Sequence, residues 1–294
     1  MYPRKTKYAS NKSLHIRIVY YPYMKLAVLM AVFNNADTLE NSIKSILNQT
    51  VKNFQFVIVN DASTDKSHEI LSKYQRLDSR INLIKNKHQL GLTKSLNKGL
   101  KIIKAKYIAR MDADDSSLPK RFEKQLKYLE THPKIALLGT AAFLIDQNGK
   151  KLKLRTNPID HQHIKKVALR YCPFIHPTWM IRRSALLDLN FYNENFPFAQ
   201  DYELVLRLMT QHQTANLPEP LLKYRVNYSK AISLKNLKTQ ERLAIKARFL
   251  ALTQYGYPVS QSWQLIKPFF SYLIPSFIKI PIYQKFFWDL TLKP

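Results

Sequence analysis

The densest ligand chemistry in the 294-residue chain is the string Asp112-Ala113-Asp114-Asp115. It follows Tyr107-Ile-Ala-Arg-Met111, a run of strand length, and alternate carboxylates on an extended segment project to one side, where they can share a hard cation. Magnesium or manganese bound in this way keeps positions open for phosphate oxygens. The alternative is a solvated acidic loop. Against it, the chain has twenty Asp and Glu beside forty-seven Lys and Arg, and three carboxylates in four positions repel one another unless a cation compensates them.

Asp61 ends a second apolar run, Phe54-Gln-Phe-Val-Ile-Val59, inside Asn60-Asp-Ala-Ser-Thr-Asp65. It either shapes a turn or accepts a hydrogen bond from the edge of a base, while Asp65 is placed to cap the next helix. Asp201, in Ala199-Gln-Asp-Tyr-Glu-Leu204, precedes a helical pattern and reads by itself as a helix N-cap. His176 lies between prolines in Pro173-Phe-Ile-His-Pro-Thr-Trp179 and reads by itself as a structural histidine. Arg225 fits a phosphate contact or a surface ion pair.

These residues need a scaffold that gathers them. Leu26–Phe33, Phe54–Val59, Ile81–Ile84 and Tyr107–Met111 read as short buried strands, separated by helical patterns containing Leu39, Ile43 and Ile46, then Ile70, Leu71 and Tyr74, then Thr93–Lys104. Strands alternating with helices of this length indicate a parallel, doubly wound sheet that binds ligands at the carboxyl ends of its strands, where both acidic clusters fall. A helix over Arg121–Thr131, a strand over Ile135–Ile145, a hairpin-like turn at Asp146–Gly149, helices over 161–170 and 201–209 and a short strand near 221–226 are expected beyond.

Apolar residues make up 46% of the chain, enough for one large α/β domain with a helical appendage, and the formal charge of +27 calls for an anionic partner. A single cysteine, Cys172, excludes an internal disulfide framework and fits a reducing compartment. The N-terminus has no continuous apolar core of a signal peptide, and Leu265–Trp288 is broken by lysines and prolines, so export and a spanning helix are not expected.

Together the motifs resemble the family 2 glycosyltransferases. The matching residues are Ala31-Val-Phe-Asn34, Ile58–Asp65, Leu90-Gly91, Asn97-Lys-Gly99, Arg110–Asp115, Pro119 with Arg121, His176-Pro-Thr178, Gln200–Leu204 and Leu222–Arg225. The resemblance implies an α/β fold of GT-A type: a doubly wound mixed, mainly parallel sheet with a C-terminal helical, aromatic-basic extension. Residues 1–23 would form a basic arm. Residues 24–235 would form the transferase domain, with its nucleotide half at 24–118 and its acceptor half at 119–235, and 236–294 the membrane-associating extension. It implies an inverting transfer of one sugar from a nucleotide-diphosphate sugar, with UDP favoured, to a glycan or lipid-linked acceptor, as in lipopolysaccharide or other cell-surface glycan synthesis. Val32, Asn34, Asp61 and Asp112 would hold the nucleotide, Asp112 and Asp114 the Mn2+ or Mg2+, and Asp201, as general base, the acceptor proton, while His176 would line the substrate cleft with Trp179 as a stacking surface for a sugar ring. Many relatives carry Glu where this chain has Gln200, which spares Asp201 a neighbouring charge. No Gln-x-x-Arg-Trp string occurs, which favours single-sugar addition over polymer synthesis.

The stretch Trp263–Trp288 mixes aromatics with lysines, as suits an anionic bilayer surface, and places the chain on the inner face of a membrane; packing on the domain is the other reading. A non-catalytic basic protein that binds anionic membrane or nucleic acid is the competing function. It has no need of carboxylates clustered at strand ends, and no specific nucleic acid is expected. A nucleotidyltransferase would carry a glycine-rich loop where Asn34-Asn-Ala-Asp37 stands.

Overall fold

The computed structural model describes residues 24–226 and 236–279, so the arm at 1–23, residues 227–235 and the tail beyond 279 lie outside the described residues. The first half consists of β1 (Leu26–Val32), α1 (Ala36–Leu47), β2 (Gln55–Asn60), α2 (Ser67–Leu77), β3 (Ile81–Lys85), α3 (Leu92–Ile102) and β4 (Tyr107–Asp112). All four strands run parallel in the order β3-β2-β1-β4, which puts a topological switch point at the carboxyl ends of β1 and β4.

Alternation along β1 divides two cores. Ala27 and Leu29 belong with Leu96 and Leu100 of α3, whereas Leu26, Val28 and Met30 belong with Leu39, Ile43 and Ile46 of α1. Helices on both faces are why these strands read as continuous apolar runs. Gly99 lets α3 descend onto the sheet, since a Cβ there would collide with Leu29 Cδ1 and lie 3.2 Å from Val59 Cγ2.

The second half adds β5 (Ser116–Ser117), α4 (Arg121–Thr131), β6 (Ile135–Ile145), β7 (Lys151–Arg155), α5 (His161–Val167), a 3-10 turn (His176–Thr178), β8 (Met180–Arg182), α6 (Arg183–Asp188), α7 (Gln200–Leu208) and β9 (Gln213–Arg225). β8 runs antiparallel between β4 and β6, β9 runs parallel to β6, and β5 and β7 pair antiparallel with β9 and β6. The sheet is therefore mixed, as the expectation of a GT-A type fold requires. The short strand expected near 221–226 is the end of a 13-residue strand. Pro218 and Pro220 concealed it. They sit where the register against β6 slips between Thr140 and Ala141, a bulge that tolerates residues without an N–H to donate.

The extension expected from 236 onward divides in two. In α8 (Leu237–Thr253), Leu243, Ala247 and Ala251 share a core with Leu204 and Leu208 of α7. Arg248 Nε of α8 also donates to the Leu169 carbonyl at 2.8 Å. By contrast α9 (Ile266–Leu273) buries none of its residues, and Phe269, Phe270 and Leu273 are all more than half exposed. No described helix is long and apolar enough to cross a membrane.

Candidate active site

The carboxyl end of β4 carries the acidic loop beside the end of β1, where Asp112 lies in register with Ala31. One polar stripe of α1 holds the loop in place. Thr38 Oγ1 donates to the Ala113 carbonyl (3.2 Å), and Ser42 Oγ donates to the carbonyls of Asp112 (3.0 Å) and Asp115. Ser45 Oγ accepts from the Ser117 N–H (3.0 Å). On the far side the backbone N–H of Arg225 donates to Asp115 Oδ1 (2.8 Å) and its Nε to the Asp114 carbonyl (2.9 Å).

Side-chain oxygens of Asp112, Asp114 and Asp115 lie within 4.8 Å of one another. Burial and the adjacent Asp112 push the Asp114 carboxyl up to about 6, and burial with Asp114 and Asp112 raises Asp115 well above the ordinary carboxylate range. Asp115 Oδ2 is buried with no hydrogen-bond partner among the described residues. A braced backbone, converging like charges and an unsatisfied carboxylate oxygen are what a divalent cation would relieve, and an all-oxygen donor set suits Mg2+ or Mn2+.

Asp61 is buried at the end of β2 and bound differently. Its Oδ1 accepts from Asn86 Nδ2 (2.7 Å) and the Leu90 N–H (2.8 Å), and its Oδ2 accepts from the Gly91 N–H (2.8 Å). Its own N–H donates to the Val32 carbonyl (2.8 Å). Asn34, at φ 53°, accepts at Oδ1 from the Thr64 N–H (2.8 Å) and ties the two loops together. Asp65 accepts from the N–H groups of both Ala36 and Ser67 at 2.9 Å, so it serves the start of α1 as well as α2. Val32, Asn34, Asp61 and Asp112 thus lie along one edge of the sheet.

The second half brings Asp201 to the same place. It lies in the first turn of α7, whose N-cap is Ala199 in a left-handed conformation (φ 56°), so Asp201 is not the cap. Burial raises its pKa despite the absence of a carboxylate at 200; the Tyr202 N–H and the charge of Arg110 offset part of that rise. His176 Nε2 pairs with the Tyr192 hydroxyl (2.7 Å), and burial together with Arg110 drives its pKa well below the ordinary value, so the imidazole is neutral. Asn97, on α3, holds Tyr192 by both backbone groups, donating to its carbonyl (2.9 Å) and accepting from its N–H (3.1 Å).

Two expectations need restating. Trp179 is 1% exposed and packs edge-to-face on Phe174 and His176, so its ring presents no open face for a sugar. The Arg225 guanidinium also reaches the carbonyls of Asp146 (2.9 Å) and Gln147 (2.6 Å), so it clamps the acidic loop to the β6–β7 turn and forms no ion pair among the described residues. Sequence reasoning missed Thr38, Ser42 and Ser45, whose signal was polar residues at helical spacing, and gave Arg110 no role beyond its place in the motif, although a charge inside an apolar strand signals one.

The model for Glycosyl transferase family 2 matches residues 27–189. This chain belongs to that family. The glycosyltransferase is 40% identical to an uncharacterized glycosyltransferase of Methanocaldococcus jannaschii over 205 residues, covering 68% of this chain and 70% of that protein. It is 33% identical to the amylovoran biosynthesis glycosyltransferase AmsE of Erwinia amylovora, covering 68% and 75%. In fold it is similar to residues 1–349 of S. aureus TarS in complex with UDP, with a TM-score of 0.62, 17% identity and coverage of 82% and 68%. The mannosyltransferase PcManGT of Pyrobaculum calidifontis, in complex with GDP-Man and Mn2+, superposes with a TM-score of 0.57, 14% identity and coverage of 90% and 81%. Among its relatives the glycosyltransferase thus counts enzymes of cell-surface polysaccharide synthesis.

Proposed function

We propose that this glycosyltransferase moves a single hexosyl or N-acetylhexosaminyl group, with inversion, from a nucleotide-diphosphate sugar, UDP-linked by preference, to a hydroxyl of a glycan or lipid-linked acceptor. The observation that carries the reading is the carboxylate trio at the switch point with Asp201 within electrostatic reach of it. Asp112 and Asp114 would hold Mn2+ or Mg2+, which when bound neutralises charge on the departing diphosphate. The Asp61 and Asn34 loops receive the nucleoside. Asp201 takes the acceptor O–H proton as that oxygen bonds to C1 from the face opposite the leaving group. The C1–O bond to the diphosphate breaks with its electron pair leaving on oxygen. The raised pKa of Asp201 suits a base, because burial makes it more basic than an exposed carboxylate.

The exposed aromatic face of α9, continued by Phe277, supports attachment to an anionic membrane surface from the cytoplasmic side, where a lipid-linked acceptor would lie. Such attachment would suit lipopolysaccharide or related surface-glycan assembly, the kind of synthesis in which its relatives are named.

Thermal melts with UDP and GDP, each with and without Mn2+, test the donor site without knowledge of the acceptor, because a ligand of the native state raises the melting temperature. One nucleotide should stabilise in a Mn2+-dependent way, and Asp114→Asn should abolish the response. Asp201→Asn should keep it while turnover falls by about 10²–10⁴-fold. Absence of any nucleotide effect on the wild type would remove the reading's main support.

A further inference from the structure

Arg110 is left unexplained by the donor site and the base. It lies within β4 with 3% of its surface exposed. Its Nη1 forms an ion pair with Asp112 Oδ1, while Nε and Nη2 have no hydrogen-bond partner among the described residues. A buried guanidinium with open donors is costly until an acceptor completes it. Nor can the backbone readily carry the group elsewhere: the Arg110 N–H donates to the Trp179 carbonyl (2.9 Å), and the Arg110 carbonyl accepts from Nη2 of the fully buried Arg121 (2.8 Å).

The surroundings indicate which acceptor is missing. Arg110 is within electrostatic reach of Asp112 and Asp115 and also of His176, Tyr192 and Asp201. On the proposed function, which this inference requires, the anomeric carbon lies between the diphosphate held near Asp112 and Asp114 and the base Asp201. A cation ion-paired to Asp112, within electrostatic reach of Asp201 and with two unpartnered nitrogens is placed to meet the sugar that bridges them. Sugar hydroxyl and ring oxygens accept hydrogen bonds, and a guanidinium only donates them.

We infer that Arg110 binds the transferred sugar directly, Nε and Nη2 donating to its oxygens while Nη1 keeps Asp112 oriented. Lysine at this position would preserve the charge beside Asp112 but could not supply the fixed fork of donors. Arg110 would therefore separate recognition of the sugar from recognition of the nucleotide.

The test compares dissociation constants of wild type and Arg110→Lys for UDP against UDP-N-acetylglucosamine and for GDP against GDP-mannose, all with Mn2+; Arg110→Gln serves if the lysine variant does not fold. For the pair that binds the wild type, the variant should keep its affinity for the nucleoside diphosphate within about threefold and weaken for the nucleotide sugar by about tenfold to a hundredfold, the range of a hydrogen bond to a charged donor. An equal loss for both ligands overturns the inference and makes Arg110 a group that acts through Asp112 or the diphosphate. No loss for either also overturns it. If the wild type binds neither pair, the donor-site reading itself has failed and Arg110's role falls with it.

Discussion

Asp61 and the Asp112–Asp115 loop occupy equivalent places, at the carboxyl ends of β2 and β4, two parallel strands that flank β1. Their electrostatics are opposite. Around Asp61 three N–H donors converge on one carboxylate, so its charge is spent inside the protein, holding the loop at 86–91 to the sheet. At 112–115 three carboxylates converge on one another, and the hydroxyls of α1 go to backbone carbonyls, leaving Asp112 only its ion pair with Arg110 and Asp115 Oδ2 without a donor among the described residues. Asp61 is thus complete without a ligand, whereas the second loop is a rigid frame around unbalanced charge. Acidic residues at strand ends acquire a role from what the neighbouring helix donates to them.

Removing a carboxylate from each loop should move stability in opposite directions. Asp61→Asn turns an amide N–H toward donors that need an acceptor, and it should cost about 2–4 kcal/mol by denaturant titration. If that variant is as stable as wild type, Asp61 does not hold the loop. Asp114→Asn should raise the metal-free melting temperature by a few degrees, corresponding to about 1 kcal/mol of relieved repulsion.

A pH series sharpens the same contrast. Asp114 keeps its proton up to about pH 6 in the fold and to about 3.8 when unfolded, so the native state binds more protons in that window. The Asp114 contribution to metal-free stability should therefore decline as pH rises from about 4 to about 6. In melts over this range the decline should be smaller in Asp114→Asn, and Mn2+ should stabilise wild type more above pH 6 than below it. Identical pH profiles for the two proteins would show that the repulsion is not there. The smallest effect is expected for Ser42→Ala, which withdraws one hydroxyl from the brace. It should cost about 1 kcal/mol and weaken Mn2+-dependent nucleotide binding several-fold without abolishing it.

Much of this arrangement is legible in the sequence because it is local. The four parallel strands announce themselves as apolar runs, and the acidic trio is contiguous, so any extended segment leaving β4 brings those carboxylates together. Motif matching also places Asn97-Lys-Gly99 and Arg121, but their work is visible only in three dimensions. Asn97 holds Tyr192, 95 residues away, and through it His176. Arg121 holds the Arg110 and Trp179 carbonyls on two different segments. β9 escaped notice over its first half because Pro218 and Pro220 fall at a bulge that only the partner strand reveals.

What the sequence by itself determined is the α/β order, the family and the cluster of like charges, because strand period, helix period and neighbouring carboxylates depend on residues a few positions apart. What only the tertiary structure decided is which polar groups are already satisfied. Arg225 turns out to be committed to carbonyls and the Trp179 ring to core packing, whereas Arg110 Nε and Nη2 are buried with no hydrogen-bond partner among the described residues, since satisfaction depends on donors and acceptors that packing brings from distant segments into one desolvated space.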